Sequence, residues 1–436
     1  MNKKQSTVFN QTSNSEIGIN VVGHVTGEYG LGTAVRATLR SMEAAGVAFS
    51  IKNIEVAWHR NLDQSYVDFI SAENPYPINL IHINPDPGLY ELLGTDFFKG
   101  RYNIGYWAWE LLQFPAAWEF AFDYFDEIWT LSNYCAESIT KVTPIPVIKF
   151  PPSIDIPKAS LDRKALGLPK DKFIFLFMFD FHSTITRKNT VNLIKAFQQA
   201  FDKSNQDVLL VIKCSNGEHK SQQRAQVKAA AADWPSIHFI EEHLKQEEVQ
   251  ALLNSCNCYV SLHRAEGFGL TMAEAMFYGK PVIATGYSSN MEFMNVGNSF
   301  LVKYKLVPND QVEGPYFQGA VWADPDIDHA ASLMRYVFLN YDEAKLVGAR
   351  AARDMRTLLS PLAIGTKIRN RLEMITKKFH NDINSTRSTQ NLQGLLTEKE
   401  LESEKQRCIS QTLAWKQTAQ EMQFQLNQIK SHPQPI

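Results

Sequence analysis

Short apolar runs alternate with longer amphipathic stretches along most of this 436-residue chain. Apolar runs of this length, bounded by turn residues, are typical of buried strands. In the N-terminal half they lie at 17–22, 79–83, 102–107, 127–131 and 147–150. The amphipathic patterns between them predict helices at 33–45, 116–125 and 134–140. Strands that alternate with helices predict a parallel sheet with helices on its faces.

The same alternation begins again after a proline-rich link at 151–157. Its apolar runs predict strands at 173–179, 208–213, 237–240, 258–262 and 282–284. Its amphipathic patterns predict helices at 190–200, 222–232 and 246–253, and one or two more at 341–380. The expected fold class is therefore α/β, with two Rossmann-like parallel-sheet domains and a C-terminal helical tail.

The length of the chain agrees with more than one domain, because chains beyond ~250 residues usually divide into several cores. The predicted parts are an N-terminal extension at 1–16, one Rossmann-like domain at 17–155, a second at 156–340, helices at 341–384 and a polar tail at 385–436.

Composition argues against several classes of function. Hydrophobic residues make up 44% of the chain and charged residues 21%, as in ordinary globular proteins, and the formal net charge of −2 gives no bulk attraction to nucleic acid. No apolar run approaches the ~18 residues of a transmembrane helix, and the N-terminus lacks the apolar core of a signal peptide. Five cysteines without a CxxC pair suit a reducing compartment. We expect a cytoplasmic protein without a nucleic-acid partner.

The segment at 262–290 carries the densest set of chemical groups. Glu266 and Glu274 stand eight residues apart, with the glycine turn Gly267-Phe268-Gly269 between them. A helix that starts near Leu270 directs its free N–H groups above that turn, where they suit a phosphate. The carboxylates repel phosphate but suit hydroxyls, which predicts a ligand with a sugar, a diphosphate and a ribose. A loop charge at Glu266 and a satisfied helix residue at Glu274 are the alternative.

The stretch EGFGLTMAEAMFYGKPVIAT at 266–285 resembles the signature of retaining glycosyltransferases of family 4, whose motif is E-x7-E. The resemblance covers roughly residues 17–380. It implies a GT-B fold, in which two Rossmann-like domains face a cleft, the second holds a nucleotide sugar, and the last helices cross back to the first. It also implies that Glu266 orients the transferred sugar, that Glu274 holds the ribose, and that the backbone of residues 267–270 receives the diphosphate.

A basic pair, Arg187 and Lys188, lies between a strand and a helix in the segment FMFDFHSTITRKNTVNLIKAF at 177–197. The two charges suit a diphosphate. The family carries a Gly-Arg after this strand and a lysine before the helix. Lys188 matches the lysine, whereas Asp180 or Phe181 stands at the position of the arginine. Arg187 is the candidate for the missing charge, and a solvated basic pair is the alternative.

A second glycine-rich loop joins the first predicted strand to the first helix. Its spacing, Gly27-x-x-Gly30-x-Gly32, differs from the G-x-G-x-x-G order of dinucleotide-binding loops. Glycines at this place let backbone approach a ligand, and the resemblance sets the loop against the phosphate and sugar of the donor. A plain tight turn is the alternative.

Candidates for the acceptor and sugar pocket are few. Family members carry a histidine near the segment YWAWE at 106–110, where this chain has Trp109 and Glu110. Aromatic rings pack well on the C–H face of a pyranose, although aromatics in such a segment more often belong to the core. His24, beside the first glycine loop, and His263, beside Glu266, are further pocket candidates.

No metal site is predicted. Asp324-x-Asp326 resembles a metal-binding DxD, but Pro325 and a helical pattern follow at once, which favours Asp324 as the N-cap of a helix with Pro325 at its first position. We expect no cofactor other than a GDP- or UDP-linked sugar as co-substrate.

The polar tail holds one apolar stripe, at 412–430, with residues recurring at spacings of three and four. Self-association, a partner helix, contact with a membrane surface and a disordered tail are the open alternatives.

The function predicted is therefore transfer of a hexose, with mannose favoured, from a nucleotide sugar to a glycan or lipid-linked glycan, with retained configuration and without a metal. The expected setting is polysaccharide biosynthesis in the cytoplasm, with peripheral contact at the inner face of the membrane left open. Another GT-B enzyme, such as an epimerase, and a non-catalytic scaffold that recruits partners through its tail are the alternatives.

Overall fold

The computed structural model describes residues 17–56, 60–310, 312 and 315–392, with the backbone alone for 379–392. The chain divides into two compact units, Met1–Glu373 and Met374–Ile436. Both large sheets lie in the first unit. The predicted N-terminal extension at 1–16 and the apolar stripe at 412–430 lie outside the described residues.

The first sheet has six parallel strands in the order β2-β1-β3-β4-β5-β6. The strands are β1 Gly18–Gly23, β2 Ala48–Asn53, β3 Ile78–His82, β4 Tyr102–Trp107, β5 Glu127–Thr130 and β6 Val147–Lys149. The helices between them are α1 Gly30–Ala44, α2 Pro87–Leu93, α3 Thr95–Phe98 and α4 Asn133–Thr140, with a 3₁₀ helix at Ala116–Tyr124. Sequence patterning did not predict β2, because this edge strand buries only two of its residues fully.

The second sheet repeats this plan in the order β12-β11-β10-β7-β8-β9, again all parallel. The strands are β7 Phe173–Asp180, β8 Val208–Ser215, β9 Ile237–Ile240, β10 Cys258–Ser261, β11 Val282–Thr285 and β12 Phe300–Val302. The helices are α5 Ile185–Lys188, α6 Thr190–Ala200, α7 Ser221–Ala230, α8 Gln246–Ser255, α9 Leu270–Phe277, α10 Ile327–Leu339, α11 Tyr341–Leu358 and α12 Pro361–Leu392. Two parallel six-stranded sheets with flanking helices confirm the predicted α/β class. The predicted boundaries at residues 155 and 340 stay a prediction.

The core of the second sheet follows from the period of two along β7. Phenylalanines at alternate positions, 173 to 179, point to one face of the strand, and Phe181 continues the series just beyond it. The rings pack against α6, where Leu193 and Phe197 are fully buried. Each buried ring contributes on the order of 2 kcal/mol of hydrophobic stabilisation. This packing fixes the direction in which the end of β7 delivers the loop before α5.

An antiparallel hairpin, β13 Tyr304–Pro308 and β14 Val321–Pro325, follows β12. It overturns the prediction of Asp324 as a helix cap, since Asp324 and Pro325 end β14. The backbone N–H of Asp326 donates to Lys303 O (2.8 Å), which continues the hairpin, and the Asp326 side chain caps α10 by accepting from His329 N (2.9 Å). The helix therefore begins later than its proline suggests.

The beginning of α12 packs against the first sheet. Gly365 lies so close to α1 that a Cβ there would overlap the Ser41 carbonyl. Farther along α12, Arg371 forms an ion pair with Glu127, a carboxylate with no exposed surface at the start of β5. Glu127 also accepts from Tyr102 Oη (3.0 Å) and from Trp129 Nε1 (2.6 Å).

Replacing Arg371 by methionine should lower the free energy of unfolding by about 2–3 kcal/mol, because Glu127 would stay buried without its counter-ion. Arg369→Met is the matched control on the same helix. Its ion pair with Glu373 and the hydrogen bond that it donates to Ala45 O (2.9 Å) are both exposed, so we expect a loss of about 0.5–1 kcal/mol. Urea denaturation measures both, and equal losses would contradict the role assigned to the buried pair.

Candidate active site

The carboxyl ends of β7 and β10, neighbours in the second sheet, bring the basic pair and the glutamate turn together. In open parallel sheets such ends form the ligand-binding edge. The loop after β7 leads into α5, which carries Arg187 and Lys188, and the loop after β10 carries Glu266. The backbone N–H of Arg264 donates to Arg187 O (2.8 Å), which ties the two loops to each other.

Glu266 receives both basic side chains. Its Oε1 lies 2.5 Å from Lys188 Nζ and 3.4 Å from Arg187 Nη1. Its backbone N–H donates to Ser288 Oγ (2.9 Å), and Ser288 has a left-handed backbone with φ of 76°. A strained non-glycine residue of this kind persists only where its surroundings hold it. The two cations hold the carboxylate of Glu266, and the hydrogen bond to Ser288 holds its backbone.

The charge state of Glu266 is set by its two cations. Burial by itself raises the pKa of this carboxyl, but Lys188 and Arg187 outweigh burial and lower the pKa to about 2. Glu266 is therefore ionised at neutral pH. It can accept hydrogen bonds, but it holds no proton to donate.

Arg187 is buried, with 5% of its side chain exposed. Besides Glu266 it faces Glu110 of the first sheet's domain, with Nη2 3.8 Å from Oε1. Its Nη1 donates to Ala265 O (2.9 Å), and the guanidinium lies 5.7 Å from the centre of the Tyr316 ring. Burial disfavours the charge, but Tyr316 and the two carboxylates outweigh burial and raise the pKa of Arg187. One enclosed cation thus balances two carboxylates.

The backbone conformation of the turn at 267–269 requires a glycine. Gly269 has φ of 95°, a left-handed conformation suited to glycine, and it caps α9. The N–H groups of Leu270 and Thr271 point toward the turn and have no acceptor within the helix, whereas those of Met272 and Ala273 donate to Gly269 O (3.0 and 3.1 Å). The Phe268 ring is buried against Phe293, at 5.1 Å between centroids, so only its backbone is available to a ligand. A Cβ on Gly267 would lie 3.7 Å from Glu110 Cγ, which places Glu110 opposite the turn.

Glu274 lies one turn into α9 and is half-buried. Burial raises its pKa to about 7, and Arg40 of α1 opposes that rise. This carboxyl titrates near neutrality, whereas Glu266, eight residues earlier, does not.

In the first glycine loop, Gly30 and Gly32 have different roles. A Cβ on Gly32 would overlap the carbonyl of Gly27, so Gly32 is required by the tight turn itself. A Cβ on Gly30 would meet no described atom within 4 Å, and Gly30 is exposed at the start of α1. Gly30 therefore leaves room for a ligand. His24 lies beneath the loop, with Nδ1 2.7 Å from Ile54 O, and burial lowers its pKa.

The other pocket candidates differ in exposure. Trp109 is buried, its Nε1 donates to Gln113 O (2.8 Å), and its ring packs on Trp118 and Tyr316, so it supports the wall of the cleft from behind. Glu110 keeps 22% of its side chain exposed. His263 is fully buried and bonded to Ser261 and Asn290, and burial lowers its pKa. His263 therefore stands behind Glu266 as a neutral support.

Contacts between the two halves close one side of the site. Ser132 Oγ lies 2.7 Å from Ser289 Oγ, and Lys149 Nζ lies 2.7 Å from Glu292 Oε2. The buried Cys135 Sγ lies 2.9 Å from Trp109 O and 3.4 Å from Gly267 O. The sequence carried no motif for these contacts or for Tyr316, because they join segments far apart along the chain.

Among the residues that the structure describes, no group of three or more His, Cys, Asp or Glu side chains is placed to hold a metal ion. No helix in the same part of the chain is long and apolar enough to span a membrane.

Glu274 should make stability depend on pH. Its pKa in the folded protein, about 7, exceeds the ordinary 4.5, so the unfolded chain loses this proton first as pH rises and stability falls between about pH 4.5 and 7. Glu274→Gln should abolish this fall in the free energy of unfolding. We expect the fall to be about 1–2 kcal/mol, after allowance for the partial exposure of the side chain. Unfolding at pH 5 and pH 8 measures it. Glu137→Gln, an exposed control on α4, should follow the wild-type profile, and a Glu274→Gln profile parallel to wild type would refute the assignment.

Most of the second half of the chain matches a known protein family. Residues 159–353 match the family model described as glycosyl transferases group 1. No curated protein sequence matches the chain.

Solved structures resemble most of the chain. HepE from Anabaena, in complex with UDP and glucose, is 13% identical with a TM-score of 0.60, and the likeness covers 82% of this chain and 100% of that one. A glycosyltransferase from Rickettsia africae ESF-5 is 15% identical with a TM-score of 0.61, over 84% and 100% of the two chains. Sucrose-phosphate synthase from Thermosynechococcus elongatus is 15% identical with a TM-score of 0.60, over 83% and 100%.

At these identities the structural likeness shows the fold, and it confirms the predicted GT-B arrangement of two parallel-sheet domains. Membership of family 4 and the role of its E-x7-E motif stay predictions. The family model thus matches part of the second half, and the solved structures share the fold of most of the chain.

Proposed function

We propose that this protein is a glycosyltransferase that moves a hexose from a nucleotide sugar to a glycan or lipid-linked acceptor. One observation carries the proposal: the ionised Glu266, held by Lys188 and Arg187, lies at the carboxyl ends of β7 and β10 beside the N-terminus of α9. Hydroxyl-binding and anion-binding groups therefore stand next to each other, as a glycosyl diphosphate needs.

In this proposal the diphosphate lies at the N-terminus of α9. The free N–H groups at residues 269–271 and the positive end of the helix dipole favour an anion there. Lys188 keeps 18% of its side chain exposed and Arg187 only 5%. Lys188 therefore turns toward the phosphate when the donor arrives, while Arg187 stays enclosed and keeps Glu266 ionised. Glu274 accepts a hydrogen bond from the ribose.

Glu266 then orients the transferred sugar. Because its pKa of about 2 keeps it ionised, it accepts hydrogen bonds from the sugar hydroxyls and does not act as a general acid. Its negative charge also favours the positive charge that develops on the sugar ring as the bond to phosphate breaks. Charge on the leaving diphosphate is balanced by Lys188 and the α9 N–H groups, so we propose a reaction without a bound metal. We propose retained configuration because the resemblance to family 4 implies it.

The choice of donor base is between GDP and UDP. The sequence favoured mannose, and that preference stays a prediction. HepE was solved with UDP and with UDP-glucose, which makes a UDP-linked hexose the first compound to test. We also propose a cytoplasmic setting in polysaccharide biosynthesis, with which the buried free thiols of Cys135, Cys214, Cys256 and Cys258 agree.

The donor should raise thermal stability. A panel of GDP, UDP, ADP and their common sugar conjugates, each at ~100 times its dissociation constant, should stabilise the wild type by about 2.7 kcal/mol for the correct nucleotide. Glu274→Ala should lose most of that effect, because the ribose loses its acceptor. Glu137→Ala, on an exposed surface, should keep it. A wild type that responds to none of these compounds would contradict the proposed donor site.

Glu266 and Lys188 should separate binding from chemistry. Glu266→Gln should lower kcat for release of the nucleoside diphosphate about 100-fold, because the carboxylate acts on charge that develops in the transition state. Its affinity for the free nucleotide should stay within about threefold. Lys188→Met should weaken nucleotide binding about tenfold as well, because the phosphate loses a cation.

Coupled assays of nucleotide release and calorimetric titration of the free nucleotide measure these two quantities. Addition of EDTA should leave kcat unchanged. Loss of activity with EDTA that Mg²⁺ restores would contradict the metal-free mechanism but not the donor site. Unchanged kcat in Glu266→Gln would contradict the role of the carboxylate.

A further inference from the structure

The hairpin of β13 and β14 brings Tyr316, Ala320 and Trp322 of the C-terminal half into an apolar cluster of the N-terminal half. Tyr316, in the segment between the two strands, is 5% exposed. It belongs to the apolar cluster built around Trp107, Trp109 and Phe114 of the first sheet's domain. The hairpin itself is fixed to the second half, since Ala323 N donates to Arg264 O (2.9 Å).

Tyr316 touches the enclosed charges of the site. Its ring lies 5.7 Å from the Arg187 guanidinium and 5.7 Å from the Trp109 ring. Burial raises the pKa of Tyr316, and Arg187 opposes the rise. The Glu110 carboxylate adds to it by its charge and by accepting a hydrogen bond from the phenol, a bond that phenylalanine at 316 would lack. The phenol is therefore neutral and stands between Glu110 and the core behind it.

The contacts of Glu110 explain why this support is needed. At 3.8 Å its carboxylate is too far from Arg187 Nη2 for a short hydrogen bond, and part of the side chain is exposed. A loosely paired glutamate at a cleft can change rotamer easily. Tyr316 packs against both Trp109, the preceding residue, and Arg187, the counter-ion, so it limits the positions that Glu110 can take.

We propose that Tyr316 is a positioning residue for glycosyl transfer: carried into the site by the β13–β14 hairpin, it holds Glu110 and Arg187 in the arrangement that faces the Gly267 turn. The inference rests on the proposed function and extends it, because it assigns a part of the site to a hairpin outside both sheets. Tyr316 acts through Glu110 and not on the reacting atoms.

The first test does not depend on activity. Hydrogen exchange of the whole chain, followed by mass spectrometry, reports on the backbone at 108–113. This segment contains the hydrogen bond that Trp109 Nε1 donates to Gln113 O. Tyr316→Ala should raise exchange there about tenfold. Tyr304→Ala, on the same hairpin but 39% exposed, should leave it unchanged. Unchanged exchange in Tyr316→Ala would overturn the proposal.

The second test is a double-mutant cycle of Tyr316→Phe and Glu110→Gln. The rate of UDP release from UDP-glucose is measured, with GDP-mannose in its place if the nucleotide panel selects GDP. Tyr316→Phe should lower kcat about tenfold, with KM for the donor and affinity for the free nucleotide within about twofold. The conservative Tyr304→Phe is the matched control and should retain wild-type kcat.

The cycle decides how Tyr316 acts. If it works through Glu110, the double variant should be no slower than Glu110→Gln alone. Additive losses, or equal losses in Tyr316→Phe and Tyr304→Phe, would overturn the proposal. A wild type that releases no nucleotide from either donor would refute the proposed function instead, and the exchange experiment would still decide whether Tyr316 holds the Glu110 segment.

Discussion

The site depends on the burial of one guanidinium between two carboxylates. An unpaired charge at the position of Arg187 would cost several kcal/mol, so the fold must supply partners. It takes Glu110 from the first sheet's domain and Glu266 from the second. Because the partners come from opposite sides of the cleft, pairing Arg187 also fixes how the two walls face each other.

The same pairing divides the work between the two adjacent cations. Arg187 is enclosed, so it sets charge states without meeting solvent, whereas Lys188 is more exposed. A cation that binds and releases a phosphate must be able to move, and a cation that keeps a carboxylate ionised must not. Adjacent positions on the short helix α5 provide both, and the side chain of its N-cap, Thr184, accepts a hydrogen bond from the backbone N–H of Arg187.

Sequence patterns predicted the parts that repeat along the chain. Most strands of the two sheets bury continuous apolar runs, and the Glu266 turn lies within one short segment. Local spacing was therefore sufficient to predict these strands and the turn. The edge strands β2 and β12 and the hairpin strand β13 bury too few residues to stand out, so the sequence did not predict them. The helix cap moved from Asp324 to Asp326 because the strand pairing of β14, a contact distant in sequence, extends over the proline. The enclosure of Arg187 by Glu110 and Tyr316 is distant in the same way, and no local pattern encodes it.

The chain departs at two places from the pattern of family 4, which its sequence resembles. Asp180 or Phe181 stands where that family carries an arginine, and the Asp180 carboxylate holds the loop by accepting from His182 N (2.8 Å) and from Asn216 Nδ2 (2.8 Å). Where the family carries a histidine, Glu110 adds a negative charge. Either change alone would leave the cleft short of positive charge for a diphosphate. Arg187 supplies a cation and lies against Glu110, so it offsets both departures, and the open positive groups, Lys188 and the start of α9, remain for the ligand.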